Sequence, residues 1–218
     1  MKGMLITFEG TEGSGKSTQV FLLADKLRKM GKPVRVLREP GGTPIGEEIR
    51  HTLKHSAANQ AMTPAAELLL MNASRAQLVR EVIQPALAAG EIILCDRFYD
   101  STTAYQGYGR GLALDVVKSV IDFAVGDTRP HLTFLLLVPH ELSEERRVAR
   151  QATLPFMRDR LEEADRNFFE RVVQGYQAIA NAEPERVRII DADDGIESIE
   201  NRIWGIALPR LKHFGVVR

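Results

Sequence analysis

Cysteine is almost absent from this chain: Cys95 is the only one among 218 residues. A lone thiol forms no intramolecular disulfide, and no Cys/His spacing suggests a zinc ribbon or finger, so a reducing, cytosolic setting is expected. Net charge is missing too, with 29 Lys plus Arg against 29 Asp plus Glu. That balance removes the general attraction by which basic proteins hold nucleic acid or anionic membrane, and neither is expected as a partner. Any anion must be bound by local placement of charge. No apolar run approaches the roughly 18 residues of a membrane span. Residues 1–8 are too short for the apolar segment of a signal peptide and lead straight into Glu9 and a glycine-rich loop. Internal repeats, low-complexity tracts and Ser/Gly-rich linkers are also lacking, so residues 1–218 are expected to form one domain.

What is present is the composition of an ordinary folded protein, 44% hydrophobic and 27% charged, which argues against disorder and against collagen-like or coiled-coil forms. Short apolar runs at 4–8, 34–37, 92–95, 132–138 and 187–190 have the length and side-chain content of buried parallel strands. Between them, helical periodicity marks 17–30, 64–89, 116–125, 166–182 and 196–208. Gly31 is a glycine stop, Thr63 with Pro64 makes a helix start, and Pro85 is expected to kink the second helix late. Strands and helices in alternation imply an α/β fold: a five-stranded parallel sheet with helices on both faces, hence three layers. The segment 146–161, dense in arginine and broken by Pro155, reads either as a mobile flap or as a solvated helix end.

Gly10-Thr11-Glu12-Gly13-Ser14-Gly15-Lys16-Ser17 fits G-x-x-x-x-G-K-S/T in full, between an apolar strand and a helix. Glycines at 10, 13 and 15 let successive backbone N–H groups point inward at phosphate oxygens, with the positive end of the following helix behind them. Lys16 is placed to reach β- and γ-phosphates and the Ser17 hydroxyl to ligate Mg²⁺. The stretch from Gly10 through Thr18 is therefore the expected ATP site. Asp96, delivered by an apolar strand, is either a neighbour of that metal or a structural carboxylate paired to a base.

Ligands of open α/β sheets bind beyond the carboxyl ends of the strands, and arginines cluster in the segments that follow them here. Arg38 follows the second strand, Arg97 the third, and Arg146, Arg147, Arg150, Arg158 and Arg160 come after the fourth. One triphosphate is already served by Lys16, Mg²⁺ and backbone amides, so further guanidinium groups suggest a second anionic substrate. A phosphomonoester acceptor needs no general base, because its oxygen is ionised at neutral pH. The difficulty is repulsion, about 4 kcal/mol for two unit charges near 4 Å at an effective dielectric near 20. Arginines and Mg²⁺ offset it, and an arginine-bearing flap would exclude water.

Gly10 through Thr18, the run Arg38-Glu39-Pro40-Gly41-Gly42-Thr43, Ser74-Arg75, and Asp96-Arg97-Phe98-Tyr99-Asp100 continuing to Gly107 together resemble the bacterial thymidylate kinases, P-loop nucleoside monophosphate kinases, over nearly the whole chain. The resemblance implies a homodimer that moves the γ-phosphoryl of ATP to dTMP in dTTP synthesis. It implies Glu12 near the sugar 3′-hydroxyl, Arg38 and Arg97 on the dTMP phosphate, Arg75 on the thymine edge and Tyr105 against the deoxyribose. Thr102 and Gln106 are implied base contacts. With no arginine from Thr11 to Ser14, the cation for the transferring group is implied to come from the lid, with Arg146 and Arg150 the leading candidates. Two departures stand out. Met71 occupies the position of the usual base-stacking Phe, and a flexible thioether is less shape-specific. The lid is also longer and more apolar between Arg150 and Arg158 than the resemblance implies.

Other residues carry two readings. Glu39 is an arginine partner or, were the acceptor a nucleoside hydroxyl, a general base. That second reading belongs to a deoxynucleoside kinase, and an ATPase switch is the alternative from another class. His51 and His55 are spaced i, i+4 but have no third ligand, and no metal is expected there. Leu68, Leu69 and Leu70 read as core.

Overall fold

A computed structural model describes residues 3–153 and 165–217. The apolar runs become strands β1 (Met4–Glu9), β2 (Val34–Arg38), β3 (Ile92–Asp96), β4 (Leu132–Leu137) and β5 (Val187–Asp191). Each begins where its apolar run begins. All neighbouring strands pair in parallel, in the order β2-β3-β1-β4-β5. The helices are α1 (Lys16–Lys29), α2 (Pro44–Lys54), α3 (Pro64–Leu78), α4 (Gln84–Ala88), α5 (Tyr99–Thr102), α6 (Leu114–Val125), α7 (His140–Thr153), α8 (Arg166–Ala182) and α9 (Ile196–His213).

Alternation along β1 builds the layers, since successive side chains of a strand point to opposite faces. Met4, Ile6 and Phe8 pack with Val20, Leu23 and Leu27 of α1 and Ile199, Ile203 and Leu211 of α9. Leu5 faces the other way, toward Leu78 of α3, Val79, Ile83 and Ile121 of α6. Each fully buried aliphatic side chain contributes about 1.5–3 kcal/mol. A smaller cluster joins Tyr105, Leu135, Phe168, Val172 and Tyr176 and seats α8 beside the sheet. The α/β three-layer arrangement is the expected one. Because β1 lies between β3 and β4, the chain reverses direction of growth there, and the loops after β1 and β3 open a crevice at the carboxyl ends.

Local departures have local causes. The kink expected at Pro85 is a wide π-helical turn, Val79–Ile83, one turn earlier. A proline ring clashes with the carbonyl four residues before it, here Glu81 inside that turn. The last helix passes 208 and runs through Pro209 to His213, because Ala207 and Leu211 remain fully buried and outweigh one missing donor. Helix α2, where Ile45, Ile49 and Leu53 recur at helical spacing, is started by Thr43, whose Oγ1 accepts from Gly46 N at 3.0 Å, with Pro44 in the first turn. The arginine-rich segment 146–161 begins inside α7, and its part from 154 onward lies outside the described residues.

Candidate active site

The phosphate loop between β1 and α1 has the backbone its glycines permit. Gly10 takes φ 135°, where a β-carbon would collide with the carbonyl oxygen of Leu136. Gly13 takes φ 74°, and a β-carbon there would stand 2.6 Å from the Ser143 oxygen. Lys16 lies back over the loop, Nζ donating to Thr11 O at 2.7 Å and Ser14 Oγ at 3.3 Å. Burial and then the charge of Arg97 pull its ammonium down to about 8. Ser17 Oγ donates to Asp96 Oδ2 at 2.5 Å. Among the described residues no group of three or more His, Cys, Asp or Glu could hold a metal. An alcohol and a carboxylate side by side are the sparse, hard-oxygen set that suits Mg²⁺ carried mainly by substrate phosphates and water.

The turn after β3 brings the second cation to this loop. Arg97 has φ 69°, the only positive φ of a non-glycine among the described residues, and its N–H donates to Phe8 O at 2.9 Å. The turn aims its guanidinium back under the loop. Nη1 donates to Gly10 O at 2.8 Å, and Nη2 pairs with Glu12 Oε1 at 2.8 Å and reaches Tyr105 Oη at 3.4 Å. Burial alone would raise the Glu12 carboxyl, but the charges of Arg97, Lys16 and Lys54 outweigh it and hold the group well below the usual carboxylate range.

Behind Arg97 lies Glu9, a fully buried carboxylate that the sequence reading left unassigned. It accepts from Phe98 N at 2.7 Å, Ser101 Oγ at 2.5 Å and Tyr176 Oη at 3.0 Å. Burial, then the charge of Asp100, pushes it up to about 7 against the pull of Ser101, Arg97 and the Phe98 N–H. The available signal was a carboxylate closing an otherwise apolar strand. Tyr176, whose hydroxyl also receives Arg97 Nη1 at 3.2 Å, had no such signal, since its distance in sequence hides its place.

A cleft of about 560 Å³ opens from this junction. Its lining includes the Glu12–Arg97 pair with Tyr105 beside it, the Arg75–Thr102 pair, and Lys54, Met71, Gln106 and Phe169. Arg75 is 2% exposed and every N–H it has is taken: Nε by Glu39 Oε2 at 2.7 Å, Nη1 by Asn72 Oδ1 and Thr102 Oγ1 at 2.9 Å each, Nη2 by Phe98 O and Glu39. Glu39 is thus an arginine partner. Burial raises its carboxyl although Arg75 opposes the shift, and its Oε1 is buried without a hydrogen bond. Gln106 is held by Glu67, Nε2 to Oε1 at 2.7 Å. Met71 is 9% exposed and forms part of the apolar wall.

Arg38 is not brought to the cleft. Its Nη2 is bound to Glu47 at 2.9 and 3.1 Å, Nη1 reaches Pro40 O, and the side chain is half exposed. Arg146 donates to Ala192 O at 3.0 Å. The side chains of Arg147 and Arg150 lie outside the described residues, as do Arg158 and Arg160. Ser143, near the start of α7, ties that helix to the loop through Oγ to Glu12 O at 2.6 Å. His51 and His55 stand with ring centroids 6.1 Å apart on the last turn of α2.

A family model described as thymidylate kinase matches residues 8–203. The chain belongs to the thymidylate kinase family. It is 47% identical over 200 residues to a thymidylate kinase of Syntrophotalea carbinolica, covering 91% of this chain and 92% of that one. A thymidylate kinase of Exiguobacterium is 45% identical over 216 residues, 99% of each chain. Among solved structures, the thymidylate kinase from Ehrlichia chaffeensis superposes with a TM-score of 0.76 at 30% identity, covering 95% of this chain and all of the other. The matched span contains both the phosphate loop and the cleft, so family membership extends to the site as well as the sheet. Among the described residues no helix is long and apolar enough to cross a membrane.

Proposed function

We propose that this chain transfers the γ-phosphoryl group of ATP to the phosphate of dTMP, giving ADP and the dTDP needed for dTTP synthesis. One observation carries the reading. The phosphate loop and the Asp96-Arg97 turn meet at the Glu12–Arg97 pair, 2.8 Å apart, in the wall of a cleft also lined by Met71, Arg75, Thr102 and Gln106. A donor held by the loop and an acceptor held in the cleft therefore present phosphate to phosphate.

In this arrangement an ionised oxygen of dTMP forms the new bond to the γ-phosphorus while the bond to the β,γ-bridging oxygen breaks, and ADP leaves with that electron pair. No general base is required. Loop amides from Gly10 to Thr18 and the Lys16 ammonium hold the triphosphate. Ser17 and Asp96 would hold Mg²⁺, which supplies charge neutralisation between the β- and γ-oxygens when bound. Arg97 grips the acceptor phosphate. Arg38 joins it by exchanging Glu47, an exposed pair worth about 0–1 kcal/mol and so easily released. Glu12 and Tyr105 bound the sugar, while Met71, Arg75, Thr102 and Gln106 face the base. Arg146 and Arg150, on the helix tied to the loop by Ser143, close over the transferring group from a lid spanning 146–161. A homodimer in the cytoplasm completes the reading, supported by apolar side chains left bare on α3 and α6, Leu69 at 59% and Phe123 at 83% exposed.

A coupled ADP-release assay with Mg²⁺ and ATP, run across the nucleoside monophosphates and thymidine, tests this. Strong stimulation by dTMP is expected, with thymidine inert. Release driven by thymidine, or none with dTMP, rejects the proposal.

A further inference from the structure

Glu12 creates a problem for the acceptor it faces. A carboxylate held firmly ionised at the head of the cleft repels an incoming phosphate dianion, and its partner Arg97 is largely cancelled by the same pair. A further cation is needed at that end. Lys54 is in place: it is the last residue of α2, it lines the cleft with Glu12 and Arg97, and its charge is among those that keep the Glu12 carboxyl ionised. That influence puts the ammonium within electrostatic reach of Glu12 in the wall of the same cleft. Neighbouring Leu53 is 1% exposed and anchors the helix end, so the lysine stem leaves from a fixed point. Arg38 joins this phosphate only after giving up Glu47, whereas Lys54 already lines the cleft.

We propose that Lys54 is a binding residue for the acceptor's phosphate, acting with Arg97 so that two cations meet the dianion across the head of the cleft. The inference rests on the reading of this cleft as the monophosphate site. An ammonium suits the task as a compact charge on a flexible stem that needs no fixed bidentate geometry.

The test compares dTMP with thymidine, which share base and sugar and differ in the phosphate. Calorimetric Kd values are measured for wild type, Lys54→Gln and Lys54→Arg at low and raised salt. Lys54→Gln is expected to weaken dTMP about ten-fold, keep thymidine within about two-fold, and flatten the loss of dTMP affinity with salt. Lys54→Arg is expected to restore most of the dTMP affinity. Unchanged dTMP binding in Lys54→Gln overturns the inference, and so does a parallel loss of dTMP and thymidine, which would assign Lys54 to the sugar or to packing. Wild-type turnover of dTMP in the same preparations tests the underlying reading separately: turnover with unaltered Lys54→Gln binding removes only this inference, whereas no dTDP from wild type removes both.

Discussion

Arg97 occupies left-handed backbone, φ 69°, a conformation that costs a residue with a β-carbon about 1–2 kcal/mol. The cost is offset by five polar contacts of its side chain with Gly10, Glu12, Ser101, Tyr105 and Tyr176. Removing it should therefore do two things at once. Arg97→Ala is expected to lower kcat/KM for dTMP by about a hundred-fold while ATP affinity changes far less; wild-type dTMP kinetics would contradict the assignment. Glu9 gives a different prediction, in pH. Its carboxyl is raised from 4.5 to about 7 in the folded chain. Between those values the folded state binds the additional proton, so stability falls as pH rises through that window. Unfolding free energies from urea titrations should drop from pH 5 to pH 8, by on the order of 2 kcal/mol, and Glu9→Gln should flatten the slope. An equally steep profile in the variant would place the titration elsewhere.

At the scale of elements, strands were more legible than helices. Buried parallel strands must be apolar on both faces, so a short run such as 92–95 announces itself. Helix α2 carries a helical period in Ile45, Ile49 and Leu53 but is short and fully buries only Gly46 and Leu53, so its start matters to its stability. Thr43→Ala is expected to cost about 1 kcal/mol through the lost cap to Gly46, read as a lower urea midpoint with an unchanged m-value. No shift in midpoint would show that the helix start is held by Pro44 and packing alone. Of the π-helical turns, Val79–Ile83 was announced as a kink by Pro85, whereas Thr103–Gly109 was invisible. A π-turn differs from an α-turn by one carbonyl's choice of partner, and in the second case that choice is set by neighbours such as Phe168 and Tyr176, far along the chain.

The whole molecule leaves apolar area bare where α3 and α6 pack side by side, with Leu69, Val116 and Phe123 all more than half exposed. The proposed homodimer would cover this face. Wild-type protein is expected to have the mass of a dimer in light scattering, and Phe123→Asp the mass of a monomer; a dimeric variant would put the contact elsewhere. The sequence by itself determined what depends on neighbours along the chain: the glycine-rich loop, because its φ angles demand residues without a β-carbon, and the strands, because burial on both faces demands unbroken apolarity. It also carried the family resemblance that implied Glu12, Met71, Arg75, Arg97, Thr102, Tyr105 and Gln106, which line one cleft. Only the tertiary structure decided how charges are shared out, because ion pairing depends on distances through space. It joined Glu9 to Tyr176, saturated Arg75 with Glu39, Asn72 and Thr102, turned Arg38 toward Glu47, and set Lys54 at the head of the cleft.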